Sequence, residues 1–487
     1  MAKTAKLKTN FIYNLAYQIL AIILPLITAP YVTRVLGSHN TGVYSYTQAF
    51  ANYFYLFAML GVNNYGNRTI ASVRDDPEKL KTNFWEIYVF QFALGVLVNV
   101  CYLLYCLFFV GEDTLVYYMQ FFYVASAVFS INWLCFGLEQ FRLTTVRNII
   151  VRVGMAAAVF LFVRDRGDLP VYTAIIAGGS LISVLVVWPF VMKHVPFKLP
   201  TWKGIVRHIK PNLVLFWPVV AVSLYHIMDK LMLGAMSTKD EVSFYTYAEN
   251  IVQIPNTLIL ALDNVMMPRM SNLYANHQDE KALKLFKAVM AFAMLAAAAM
   301  SFGLMGVGPV FAPWFYGVDF SRCGLYIALL SPIIVFKGWA GALRTQYIIP
   351  KKKEKIYIIS LSTGAVVNLI LNALLIPKLA GAGAVIGTIA AEFSVCFLQF
   401  LLIRKEIPIR EFMTNGFSFV LIGGIMYALI RLISGFGGTG VLTMAIQVAA
   451  GGALYMLLAA FYMIKIRHEP VLFNEGLKLL HVKYRFK

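Results

Sequence analysis

Apolar runs of about twenty residues alternate along the whole chain with short charged or turn-forming segments, the spacing expected of helices crossing a bilayer core of about 30 Å. On that ruler the runs predict spans at 11–33, 41–62, 84–109, 115–138, 145–163, 170–192, 211–235, 242–266, 284–310, 324–349, 356–376, 381–403, 414–434 and 440–464. The fold class is therefore an all-α polytopic membrane protein with about fourteen transmembrane helices. An even count puts both termini on one side. The first run follows Lys3, Lys6 and Lys8 but carries Pro25 and Pro30 near its end and no small-residue cleavage site, so it reads as an uncleaved first span.

Composition sharpens this picture. Of 487 residues, 60% are hydrophobic and only 13% charged, against roughly 25% charged in a soluble domain. An ordinary cytosolic enzyme is excluded. The net charge of +19 would point to nucleic acid in a soluble protein, but here its distribution follows the topology. With the N-terminus inside, about 31 of the 42 Lys and Arg fall in inner segments and about 6 in outer ones, as positive-inside sorting requires. Arg152, Lys230, Lys337, Arg344 and Arg431 lie within spans. The Lys351-Lys352-Lys353 run is explained by the same sorting better than by anionic-lipid or nucleic-acid contact. Five cysteines, an odd number with no CxxC pair, support neither a disulfide framework nor a metal site.

An internal repeat joins the second span to the eighth. Val43-Tyr44-Ser45-Tyr46 matches Phe244-Tyr245-Thr246-Tyr247 at an offset of 201, which also sets Asn63 on Asn264 and Arg68 on Arg269. Six spans return the chain to its starting side, so the halves are parallel repeats related by an axis along the membrane normal. The expected organisation is an N-lobe over 1–192, a basic cytoplasmic linker over 193–210, a C-lobe over 211–403, and spans 13 and 14 with a basic cytoplasmic tail over 404–487.

Polar side chains in lipid cost a few kcal/mol each, so they should face a partner helix or a wet cavity. In span 8, Glu249, Gln253, Asn256 and Asp263 share one helical face; in span 7, Ser223, His226 and Lys230 do so beside Asp229. Span 2 aligns Tyr44, Gln48 and Tyr55 with Asn52 flanking, and span 1 carries Asn14, Tyr17 and Gln18 at one end and Arg34 at the other. The candidate substrate-binding residues are thus Arg34, Tyr44, Gln48, Asn52, His226, Lys230, Glu249, Gln253 and Asn256, with Asp229, Glu249 and Asp263 as candidates for ion coupling. Interhelical packing explains such amides as well, Arg34 could snorkel to headgroups, and Lys337 and Glu392 could pair with each other. No loop is long enough for a soluble domain, and no carboxylate or His has a partner at catalytic spacing, so neither an enzyme nor a resident cofactor is expected.

At Ala29-Pro30-Tyr31-Val32-Thr33-Arg34-Val35-Leu36-Gly37, Gly42-Val43-Tyr44-Ser45-Tyr46 and Tyr65-Gly66-Asn67-Arg68-Thr69-Ile70-Ala71, the chain resembles the bacterial Wzx-type polysaccharide-biosynthesis flippases of the multidrug/oligosaccharidyl-lipid/polysaccharide exporter superfamily. The resemblance implies two six-helix bundles enclosing a central cavity and alternating access. It also implies transfer of an undecaprenyl-diphosphate-linked oligosaccharide from the inner to the outer leaflet of the bacterial cytoplasmic membrane, and contact with membrane lipids and polysaccharide polymerase or assembly proteins. Arg34, Tyr44, Tyr46 and Arg68 are the motif positions it covers. Fixed cations such as Arg34 and Lys230 suit a diphosphate in a low-dielectric site, and amides and tyrosines suit a sugar. Still open at this level are a peptidoglycan- or teichoic-acid-precursor flippase and an ion-coupled drug exporter, for which the carboxylates would matter more. A membrane-embedded polysaccharide polymerase is disfavoured by outer segments of no more than about fifteen residues, too short for the catalytic loop such an enzyme needs.

Overall fold

The computed structural model describes residues 2–437 and 440–467, apart from the side chains of 2–19, 21, 22, 141, 217–219, 221, 222, 224–226, 262, 264, 436 and 437. Among these residues there is no strand. The chain divides into two compact units, Met1–Ser243 and Phe244–Lys487. The division falls inside a helix, not in the 193–210 linker, and it leaves the seventh expected span with the first unit.

The first unit contains α1 (Ala2–Met59), α2 (Val62–Val73), α3 (Pro77–Phe109), α4 (Thr114–Phe129), α5 (Asn132–Gly137), α6 (Phe141–Phe162), α7 (Leu169–Leu185), α8 (Trp188–His194), α9 (Trp202–Arg207), α10 (Ile209–Met236) and the start of α11 (Lys239–Ala275). In the second unit the rest of α11 is followed by α12 (Asp279–Tyr316), α13 (Ser321–Leu330), α14 (Pro332–Leu343), α15 (Glu354–Leu379), α16 (Gly381–Ile403), α17 (Ile409–Gly437) and α18 (Val441–Phe461). Helices cover all fourteen expected segments. By length and composition, nine of the described spans are apolar enough to cross a membrane, or ten if α13 and α14, bent by 41° at Ser331, count as one. The other long helices are α1, α10 and α11, on which the sequence places its polar stripes.

α1 is two helices meeting at Gly37, whose φ of 77° only glycine adopts readily. Leu24 and Tyr55 line one cavity, although a straight helix would hold them about 46 Å apart. The chain therefore folds back at Gly37, forming the first hairpin. A second break at Leu60 and Gly61, both with positive φ, releases α2, which buries Val62, Gly66 and Ile70 on one stripe. Gly66 lets α2 lie under the Trp133 ring of α5. Pro77 and Asp76 then start α3, the Asp76 side chain accepting from the backbone N–H groups of Glu78 (3.2 Å) and Lys79 (3.1 Å).

The two ends of α10 are both held within the first unit. At its start, Glu86 of α3, 4% exposed, accepts from Arg207 Nη2 at 2.5 Å and lies 3.1 Å from His208 Nε2, while His208 Nδ1 meets the Tyr65 hydroxyl at 2.7 Å. The linker before it runs along the same helix end: Trp85 Nε1 donates to the Pro196 carbonyl (3.0 Å) and Lys198 Nζ to Thr82 (2.7 Å). At the far end, Gly234 receives the Tyr46 ring, Lys239 Nζ sits 3.4 Å from that ring's centre, and Gly42 abuts the Lys239 backbone. Ser38 donates to Asp240, and Thr41 and Ser243 share a hydrogen bond of 2.7 Å.

In the second unit α12 is the central post, with α13, α14, α17 and α18 packed on it and α15 paired with α16. Tyr455 of α18 donates to the Leu295 carbonyl at 2.8 Å, which fixes a C-terminal helix to that post. Lys337 and Glu392 do form an ion pair, at 3.0 Å.

Candidate substrate-binding site

A cavity of about 630 Å³ opens within the first unit between α1, α4, α5, α6 and α7, a size in the ordinary range for a ligand site. Its wall mixes two arginines, Arg147 and Arg152, with Tyr55, Tyr123 and Tyr172, the amides of Asn132 and Asn148, and the hydroxyls of Thr28, Ser126, Ser180 and Ser183. No Asp or Glu is among its described lining residues.

Helical phase explains the placement. Arg147, Asn148, Val151, Arg152, Met155, Ala156 and Val159 recur at one- to four-residue steps along α6, and Tyr172, Ile176, Gly179, Ser180 and Ser183 do so along α7. Arg147 is 6% exposed and is held by amide oxygens: Nη2 donates to Asn132 Oδ1 (3.1 Å) and Asn148 Oδ1 (2.7 Å), and Nε to Asn148 Oδ1 (3.1 Å). These three bonds to amide oxygens fix the orientation of the guanidinium. Ser183 adds a hydrogen bond to the same Asn148 oxygen at 3.4 Å. The aromatic part of the wall is ordered as well, Tyr55 stacking on Tyr123 with centroids 5.1 Å apart. Together these groups offer anion-binding cations, donors and acceptors for hydroxyls, and ring faces for the apolar face of a sugar.

Three expected residues border this wall. Tyr44 packs edge-on against Tyr172 at 4.8 Å and donates to Gln48 (3.3 Å), and Asn52 accepts from the Tyr123 hydroxyl at 2.6 Å. Arg34 is not a lining residue; it is exposed and its Nη1 reaches the Pro30 carbonyl, 3.3 Å away. Lys230 is half-buried and Asp229 buried on α10, neither in the cavity wall. The side chain of His226, like those of Asn14, Tyr17 and Gln18, lies outside the described residues. Glu249, Gln253, Asn256 and Asp263 belong to the second unit, where Asn256 and Asp263 are buried and Glu249 and Gln253 half-buried. Arg147 and Arg152 are the residues that sequence reasoning passed over. Arg147 stands at the edge of the fifth span and counts equally well as a loop charge, while Arg152 is a lone cation in that span, and their five-residue separation is not the spacing of one helical face.

Residues 7–274, more than half of the chain, match the polysaccharide biosynthesis protein family. The chain belongs to that family. Its motif residues 29–71 fall inside the matched segment, in agreement with the resemblance seen in the sequence. Among curated proteins, this family member is 22% identical over 412 residues to the "Putative O-antigen transporter" of Escherichia coli (strain K12), covering 82% of this chain and 97% of that one. Among solved structures it is similar to the lipid II flippase MurJ in an inward closed conformation, with a TM-score of 0.71 and 15% identity over 94% of this chain and 99% of that one. It is also similar to an inward-facing multidrug resistance MATE family transporter of the MOP superfamily, with a TM-score of 0.60 and 15% identity over 79% and 95% of the two chains. The shared fold is that of a polytopic all-α membrane protein.

Proposed function

We propose that this polysaccharide biosynthesis protein is a flippase that moves a polyprenyl-diphosphate-linked oligosaccharide from the inner to the outer leaflet of a bacterial cytoplasmic membrane. Membership of the family, the O-antigen transporter relative and the lipid II flippase fold support this reading. The observation that carries it is the cavity of the first unit, whose described wall pairs Arg147 and Arg152 with tyrosines, amides and hydroxyls. A diphosphate and its first sugars need that combination, and a prenyl tail can remain in lipid. Arg34 and Lys230 are proposed as further cationic contacts on the substrate's route, with Tyr44, Gln48 and Asn52 as supports of the wall. His226, Glu249, Gln253 and Asn256 are proposed as additional hydrogen-bonding groups.

Reconstitution in liposomes with lipid-linked sugars, read as access of the glycan to an external modifying enzyme, tests this. Losing a charged hydrogen bond costs about 1.5–3 kcal/mol, so Arg147→Gln or Arg152→Gln should slow flipping by about ten- to a hundredfold while leaving the amount of inserted protein unchanged. Unaltered flipping by the double variant refutes the assignment of the cavity. A drug exporter coupled to a cation would reverse the ranking, with Asp229→Asn and Glu249→Gln severe and the arginine changes mild.

A further inference from the structure

The connection between α8 and α10 turns a run of large apolar side chains outward. Phe197, Leu199 and Trp202 are 64%, 79% and 76% exposed, and Val206, one turn on from Trp202 along α9, is exposed too. A patch of this kind marks a surface that meets something other than water. Its backbone is held in place. Trp85 of α3 donates to the Pro196 carbonyl and packs edge-on against Phe197 at 4.8 Å, and Lys198 is bonded to Thr82. The Thr201 hydroxyl accepts from the Gly204 N–H at 3.1 Å to start α9, and the Gly204 backbone lies against Glu86. One side of the segment is fastened to α3, so the other presents a fixed apolar face.

The same stretch is strongly basic. Residues 193–210 carry Lys193, Lys198, Lys203, Arg207 and Lys210 and no Asp or Glu. On α9, Lys203 and Arg207 form a stripe beside that of Trp202 and Val206. Lys198 and Arg207 are drawn to Glu78 and Glu86 of α3, whereas Lys193, Lys203 and Lys210 are exposed. Positive-inside sorting accounts for the cations, but it gives no reason for Phe, Leu and Trp to stand outward among them. A face that is apolar and cationic by turns fits the headgroup layer of a bilayer, where Trp settles at the boundary and lysine stems reach up to phosphates. The bilayer is also within reach, since the apolar span Arg166–His194 ends three residues before Phe197, at most about 11 Å of chain.

We propose that residues 193–210 dock on the headgroup layer of an anionic leaflet, with Phe197, Leu199, Trp202 and Val206 entering the interface and Lys193, Lys203 and Lys210 meeting lipid phosphates. The surface is separate from the arginine-lined cavity, and its test reads lipid contact rather than transport, so its failure leaves the flippase reading untouched. In a cysteine-free full-length chain, Leu199→Cys or Val206→Cys keeps Trp202 in place and puts a single thiol on the apolar face. Asp75→Cys, at an exposed position between α2 and α3, is the control. Each protein is reconstituted in nanodiscs of phosphatidylcholine alone or mixed equally with phosphatidylglycerol, and its reaction with an uncharged, water-soluble maleimide is followed. Thiols at 199 and 206 should react about tenfold more slowly in the anionic discs, while the thiol at 75 should not change. Lys193→Gln, Lys203→Gln and Lys210→Gln together should erase the difference, as should high salt, and Trp202→Ser should reduce it. Equal rates in the two kinds of disc, equal slowing at position 75, or slowing that survives the triple substitution overturns the proposal. Protection found in native membranes but not in discs assigns the face to a protein partner and overturns it as well.

Discussion

A methyl group added at Gly42 would land on the backbone of Lys239, and neither partner can move without parting the segment of α1 just after Gly37 from the start of α11. Overpacking of this kind costs about 1–3 kcal/mol, so Gly42→Ala should lower the midpoint of thermal unfolding, and Gly42→Val should lower it further. Gly234 makes the reciprocal contact with the Tyr46 ring. Gly42 sits in a stretch whose pattern is visible in the sequence, Gly42-Val43-Tyr44-Ser45-Tyr46, yet nothing in a single sequence says which surface it meets. The same limit hid the cavity. Tyr44, Gln48 and Asn52 could be read as a stripe because they share one helix, whereas the wall they border is built from five helices, and Arg147 is held in part by Asn132 on another element.

Between α3, α2 and the start of α10, one buried carboxylate organises a whole connection. Glu86 takes Arg207 and His208, and Tyr65 closes the other side of the imidazole. With the proton on Nε2, neutral His208 donates to Glu86 and accepts from Tyr65, so both nitrogens are satisfied without a charge. Burial holds the imidazole below its ordinary value, with the Glu86 hydrogen bond opposing. The sign follows: above about pH 6.5 the contribution to stability is complete, and it is lost as pH falls toward the depressed folded value, because the unfolded chain takes up the proton first. Hydrogen exchange over residues 196–208 should therefore quicken on mild acidification, and His208→Gln should flatten that response. If exchange is equally pH-dependent in the variant, the imidazole is not the sensor. Hydrophobic runs predicted where helices cross, but not how the segments bend. The breaks at Gly61 and Ser331 and the single π-helical turn over Arg344–Ile348 leave average apolarity unchanged. At the offset of 201 the position matching Gly61 is Leu262 in a continuous α11, so even the repeat does not reveal that break.

For the molecule as a whole, the charge pattern makes a sharper statement than the helix count. With both termini and the linker proposed as cytoplasmic, single cysteines placed in a cysteine-free variant at 111–114 or 311–323 should react with an impermeant reagent outside the cell. Cysteines replacing Ser72 or Lys352 should react only after permeabilisation. External labelling at position 352 would reverse the proposed sidedness of that loop. The polytopic all-α class was legible because twenty-residue apolar runs have no soluble alternative; the grouping of helices was not, since contacts between distant segments leave no mark on local composition.

The tethering of α10 at both ends has a consequence for how the chain can be cut. If the 201-residue repeat is the trace of an ancient duplication, the copied block ends near the linker, but the first compact unit runs on to Ser243. The border of inheritance and the border of mechanics lie about one helix, α10, apart in the chain. Two co-expressed fragments divided at the linker would each carry an unfinished surface, with α10 waiting to be seated by its neighbours on the other polypeptide. Assembly would then depend on the fragments meeting, and the separated helix would behave as an intermolecular plug in a socket made by α1 and α2.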